Sequence, residues 1–322
     1  DDQGKTFRSC AAVVEHPDPS CRIYDPNLWI DPLGRLWMTY AQARGFNDGR
    51  SGVWAAICEQ PDADVPQWSA PRRIANGIMM NKPLVTSRNE WLFPCAIWRD
   101  DSGSVPTERH GLENEQFSNV YASIDEGHTI ALRGHADVPA RSFDEHMLVE
   151  KRDGTLWMLV RTFDGIGESF SSDGGRTWSP GQKSHIDGPC SRFFIRRLSS
   201  GRLLMINHYK FSHRIDLDDI MRQGNVKRWQ GRSHLTAMLS EDDGATWPYT
   251  LLLDERDEVS YPDAKEADDG YIYVTYDHQR VTKREILMAR FTEQDILAGR
   301  LQSSRSTLRI LVNKALGQPD IH

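Results

Sequence analysis

An eight-residue phrase that recurs along the chain limits its fold more than any other feature. SSDGGRTW runs from Ser171 to Trp178 and SEDDGATW from Ser240 to Trp247, both fitting S-x-D-x-G-x-T-W. A weaker copy, SIDEGHTI, spans Ser123 to Ile130, and the opening DDQGKTF fits only the last part of the pattern. A degenerate position ends at Trp68, where QWSAP echoes the TWSPG around Trp178. Self-similarity of this kind marks repeat architectures. The physics of the phrase is a self-contained turn. Its Asp accepts bonds from turn N–H groups, its Gly supplies a left-handed backbone angle, its Thr bonds locally, and its Trp is expected to bury between sheets. A Ca²⁺ loop would need more carboxylates than each copy offers.

A second repeat interleaves with the first. DPLGRLWMTYAQ (31–42), RDGTLWMLVRT (152–162), SSGRLLMINH (199–208) and DDGYIYVTYD (268–277) each place a Gly turn before an alternating apolar strand. SRNEWLFPCAIW (87–98) is a looser copy without the Gly. Each unit reads as strand, turn, strand, strand, box, strand, which is a four-stranded propeller blade. Helix signal is confined to TEQDILAG, with Thr292 as its N-cap.

The expectation is an all-β, six-bladed propeller as one domain over 1–322. Its approximate blades are 22–75, 76–138, 139–187, 188–256 and 257–322, with 1–21 as the remnant of a first blade largely missing from the chain. Inner strands should start near Asp25, Lys82, Glu145, Ser191 and Tyr261. The alternative is a five-bladed ring closed by the tail STLRILVNKA (306–315).

Bulk properties narrow the partners. A net charge of -7, spread rather than blocked, argues against nucleic acid and anionic membranes. No apolar run is long enough to cross a bilayer. Five cysteines without metal-like spacing read as buried structural thiols, and neither metal nor cofactor is called for. The compartment stays open, with a periplasmic or secreted bacterial setting favoured.

These motifs resemble the BNR/Asp-box sialidase (neuraminidase) superfamily, a bacterial sialidase-like subfamily, over essentially the whole chain. DEHMLVEKRDGTLWMLVRT is similar to the segment carrying a catalytic Glu and a triad Arg, which implies Glu145 and Arg161. GRSHLTAMLSEDDGATW resembles the segment with another triad Arg, implying Arg232. SYPDAKEADDGYIYVTYD resembles the stretch that opens with the nucleophilic Tyr, here Tyr261, and Asp277 stands where a bracing acid is expected. The first triad Arg and the acid/base Asp would belong to the missing first blade.

The resemblance implies an exo-glycoside hydrolase that removes a terminal acidic sugar from a glycan or oligosaccharide, with retention. The sugar is sialic acid or a related ulosonic or uronic acid. Guanidinium forks suit its carboxylate, and a neutral Tyr paired with a Glu base avoids the repulsion an anionic nucleophile would meet. Second-rank candidates are Asp48 as acid, and Lys82 and Arg192 as anion ligands; Asp25 is a poor stand-in for the acid. His146 and His208 would serve a polysaccharide lyase, in which Tyr and His carry out elimination beside a uronate. A non-catalytic glycan-binding propeller is the third reading. Each residue also has a structural alternative: Arg161 and Arg232 as partners of Glu145 or Asp277, Tyr261 as a cap on the channel floor, and the histidines as satisfied core groups.

Overall fold

The computed structural model describes residues 6, 14–44, 50–98, 111–209 and 231–315. Among them it forms five four-stranded antiparallel sheets, one short α-helix and a single 3-10 turn at Glu113–Glu115. In chain order the first sheet is β1 (Cys21–Ile30), β2 (Leu36–Arg44), β3 (Gly52–Cys58) and β4 (Arg72–Asn76). The second is β5 (Leu84–Val85), β6 (Trp91–Ala96), β7 (Ser118–Ser123) and β8 (Ala131–Ala136). β9 (Arg141–Glu150), β10 (Leu156–Thr162), β11 (Gly165–Ser171) and β12 (Gln182–Lys183) make the third. The fourth holds β13 (Phe194–Arg197), β14 (Leu203–His208), β15 (Leu235–Ser240) and β16 (Tyr249–Asp254). β17 (Val259–Glu266), β18 (Tyr271–His278), β19 (Glu285–Thr292) and β20 (Thr307–Lys314) make the last. Strands follow sequence order in every sheet, as in propeller blades.

The described blade count is therefore five, the number of the alternative reading, and the expectation of six is corrected. The tail that was a candidate for ring closure is β20, the fourth strand of the last sheet, paired with β19. The half motif DDQGKTF lies outside the described residues, apart from Thr6. The first three sheets lie in one compact unit, but for Gly165 and Ile166 of β11, and the last two in another.

The turns form as their residues dictate. Gly34, Gly154, Gly201 and Gly270 take φ of 81°, 85°, 84° and 78° between first and second strands. In the second sheet Asn89 takes that place at φ 61°, which explains how SRNEW turns without Gly. The capping box at Thr292 closes on Asp295 and starts α1 (Glu293–Ala298).

Each box turn repeats one hydrogen-bond set. In the first, Asp125 Oδ1 accepts from the Thr129 N–H at 2.9 Å and Oδ2 from the Thr129 hydroxyl at 2.7 Å. Ser123 Oγ donates to Asp125 Oδ1 at 2.8 Å and accepts from the Gly127 N–H at 2.8 Å. The turns at Asp173 and Asp242 repeat these contacts. Hydrogen bonds from Thr, then Ser, hold the carboxyls of Asp125 and Asp242 down at about 2, and that of Asp173 falls further. The closing Trp residues are less buried than expected. Trp178 and Trp247 are both half-buried; Trp178 packs at the margin of the core shared by the second and third sheets and donates to the Gly175 carbonyl.

Within the first unit, Trp29, Trp37, Trp91 and Phe93 pack edge-on or tilted between the first two sheets, with ring centroids 5.0–6.3 Å apart. Adjacent blades are also stapled. Ser87 bonds Glu150 through its N–H and hydroxyl, and Ser199 bonds Glu266 in the same way. Cys58, Cys95 and Cys190 are buried free thiols as expected, whereas Cys21 is only half-buried.

Candidate active site

Three first strands carry the same irregularity, and it places the sequence candidates. In β1, Asp25 and Pro26 stand opposite the single residue Tyr40. In β9, Glu145 and His146 oppose Val160; in β17, Tyr261 and Pro262 oppose Tyr276. Each is a β-bulge of two residues against one, and bulges re-aim side chains. The leading residue is left-handed in all three: Asp25 at φ 52°, Glu145 at 42°, Tyr261 at 58°. Glycine usually fills such positions, and a larger residue there costs about 1–3 kcal/mol. Strain of this size is retained where a side chain is needed.

A sequence signal for these positions exists. Asp25 to Gly34, Glu145 to Gly154 and Tyr261 to Gly270 are each nine positions apart, so every bulge precedes its hairpin Gly by the same interval. The other two first strands lack the bulge residue within the strand. Lys82 lies before β5, half-buried, and Arg192 before β13, buried.

In the third sheet Phe143 and Asp144 are left-handed as well, so three consecutive residues carry positive φ. Arg161 Nη1 meets Glu145 Oε1 at 2.7 Å, with side-chain exposures of 0% and 1%. Arg161 sits across β9–β10 from Asp144, which meets Arg141 at 3.4 Å. Glu145 is thus a partner of the candidate Arg. Asn81, the neighbour of Lys82 and not a sequence candidate, clamps this bulge: its side-chain amide donates to the carbonyls of Glu145 at 2.7 Å and His146 at 3.1 Å. Burying an ion pair stabilises little by itself, so its retention beside a strained backbone points to a role other than stability.

The last two sheets build a second cluster around Tyr261. Arg192 Nη1 donates to the Pro262 carbonyl at 2.6 Å and its Nη2 approaches Asp263 at 3.3 Å, so it holds this bulge as Asn81 holds the other. Arg232 stands 5.7 Å from the centre of the Tyr261 ring and donates to the Cys190 carbonyl at 2.8 Å. Arg280, which sequence reasoning missed, lies closer, 4.1 Å over the ring. Asp277 directly faces Ser260 across β17–β18 and accepts its hydroxyl at 2.6 Å. Its other oxygen takes Arg280 Nε at 2.8 Å. Asp277 thus braces an arginine, but one from its own blade. Cations against an aromatic face favour negative charge developing on the ring oxygen.

The remaining candidates are placed plainly. His146 and His208 are 1% and 2% exposed, bonded to the carbonyls of Asn119 and Ser233 respectively. Burial pushes both imidazoles down to about 4, with the neighbouring cations Arg141 and Arg232 acting in the same direction. Both are neutral core groups near pH 7. Asp48 lies outside the described residues. No cluster of metal-ligating side chains occurs among the described residues, and no helix among them is long and apolar enough to cross a membrane.

Sheet order and blade anatomy define an all-β propeller. The chain belongs to the family of BNR repeat-like domains, whose model matches residues 2–274. Among solved structures it is similar to the Hadza microbial sialidase Hz136, at 18% identity and a TM-score of 0.58 over 80% of this chain and 50% of that one. It is also similar to a leech intramolecular trans-sialidase, at 14% identity and a TM-score of 0.54 over 77% and 37%. The intramolecular trans-sialidase from Ruminococcus gnavus aligns at 14% identity and a TM-score of 0.53 over 88% and 60%. The chain spans about half the length of the first of these, and at such identities the likeness is one of fold. No curated protein matches it.

Proposed function

We propose that this protein is a sialidase-like glycoside hydrolase that removes a terminal acidic sugar from a glycan. The observation carrying this reading is Tyr261, held at a strained bulge with the guanidinium groups of Arg280 and Arg232 against its ring. A neutral phenol among cations suits attack on a sugar whose anomeric carbon bears a carboxylate.

In this reading the Tyr261 oxygen attacks the anomeric carbon, a base (the role the sialidase resemblance implies for Glu145) takes the phenol proton, and the bond to the leaving oxygen breaks with its electron pair departing on that oxygen. Protonation of the leaving oxygen by a carboxylic acid completes the first step, and water then releases the sugar with overall retention. Arg232 holds the substrate carboxylate. Arg161 pairs with Glu145 and positions it, a role that fits its lack of exposed surface.

The burial of His146 and His208 weighs against the Tyr/His lyase assignment. The test is release of fluorophore from a sialoside and a glucuronide, with product absorbance followed in the near ultraviolet. Fluorophore release without an unsaturated product is expected. An unsaturated uronate would establish the lyase, and glycan binding without turnover of any acidic glycoside would leave only a binding propeller.

A further inference from the structure

We infer that Arg280 is a carboxylate-binding residue of the Tyr261 site, set in place by Asp277 and additional to the arginines the sialidase resemblance supplies. The inference rests on the proposed function in taking Tyr261 as the centre of the sugar site.

Arg280 stands at the tip of the β18–β19 hairpin, where a solvent-facing Arg–Asp pair three residues apart would ordinarily contribute little. Three contacts make this one different. The guanidinium lies 4.1 Å over the ring centre of Tyr261. Asp277 binds it through one oxygen only, Oδ2, which meets both Nε and Nη2. The other oxygen, Oδ1, accepts the hydroxyl of Ser260, the residue just before the bulge. One carboxylate therefore couples the strained Tyr261 backbone to the cation above its ring.

The hairpin itself is fixed. Gln279, left-handed at φ 48°, donates its N–H to the Glu258 carbonyl at the start of β17, and its own carbonyl accepts from Thr282 and Arg284. Arg280 thus leaves a backbone anchored to the strand that carries Tyr261. Its side chain is 49% exposed, unlike Arg161 at 0%. A half-exposed guanidinium beside an aromatic nucleophile, held along one edge by a fixed carboxylate, is a preorganised fork for an arriving carboxylate.

The test titrates the full chain with N-acetylneuraminic acid and glucuronic acid, and with their methyl esters, by calorimetry. The ¹H–¹⁵N signal of the Arg280 Nε group is followed in parallel. At least one acid is expected to bind more tightly than its ester and to shift that signal. Arg280→Gln should weaken binding of the acid at least tenfold and leave the ester unchanged, with Arg280→Lys recovering part of the loss. Asp277→Asn should give a smaller loss and broaden the Arg280 signal. Acid binding of wild-type strength in Arg280→Gln would overturn the inference, as would a wild-type protein that does not distinguish acid from ester. Acid-selective binding lost in Arg280→Gln, in a protein that turns over no acidic glycoside, would uphold Arg280 and refute only the hydrolase.

Discussion

The box turns and the first-strand bulges require the same left-handed backbone and meet that requirement with opposite residues. In the boxes Gly127, Gly175 and Gly244 adopt φ of 83°, 87° and 87°. In the bulges Asp25, Glu145 and Tyr261 do so at 52°, 42° and 58°. At Gly127 a side chain would also be in the way: a Cβ there would lie 2.7 Å from the Trp37 ring. In the bulges a side chain is kept despite the backbone cost, and neighbours hold two of the three. Asn81 fixes the Glu145 bulge and Arg192 the Tyr261 bulge, each through a bulge carbonyl. The boxes are built for folding, and two of the bulges carry the proposed catalytic residues Glu145 and Tyr261.

Acidification separates the boxes from the buried histidines, one in the Glu145 bulge and one at the end of β14, most strongly. His146 and His208 titrate near 4 when folded, against about 6.5 in the unfolded chain, so the unfolded state binds more protons between these values. Their contribution is fully present above about 6.5 and is lost as the pH falls towards 4, on the order of 3 kcal/mol for each histidine. The box carboxyls are depressed, so their contribution is lost in a separate and lower window, as the pH drops from about 4 towards 2. Urea denaturation at stepped pH should show the two losses in that order, and a flat profile from pH 7 to 4 would contradict the burial of the histidines.

Breaking the pair inside a bulge comes next. Glu145→Leu leaves the Arg161 charge buried without its carboxylate, which should cost about 3–5 kcal/mol, whereas Glu145→Leu with Arg161→Met should recover most of that. Denaturant midpoints of the single and double variants decide this. In the box, Gly127→Ala forces a Cβ into both an unfavourable φ and the Trp37 ring, with an expected loss of about 2 kcal/mol. The smallest effect has the opposite sign: Asp25→Gly relieves a strained bulge and should stabilise the fold by about 1 kcal/mol. A destabilising Asp25→Gly would mean that the Asp25 side chain contributes more than its backbone costs.

The blades were legible in the sequence because their turns depend on residue types with few substitutes. Gly at a hairpin and Asp at a box announce themselves, and even Asn89 stands in for Gly by known turn chemistry. The blade number is not legible, because the partial motif DDQGKTF reads equally as part of a further blade. Tyr261, Glu145, Arg161 and Arg232 were found through motif resemblance, but their surroundings were hidden. A left-handed Glu or Tyr has no compositional signature, so the bulges went unseen although the nine-residue interval to the next Gly repeats. Asn81 and Arg280 act through backbone carbonyls and a ring face, contacts that no spacing rule encodes. The complete burial of Arg161 against Glu145 is a contact its motif does not encode.

The most direct measurement compares the wild-type chain with Tyr261→Phe on fluorogenic acidic glycosides, with circular dichroism confirming the fold of both. Loss of the phenol oxygen should lower turnover by at least about a thousandfold while acid binding persists. Near-normal turnover in Tyr261→Phe would contradict the assignment of this bulge as the reactive centre.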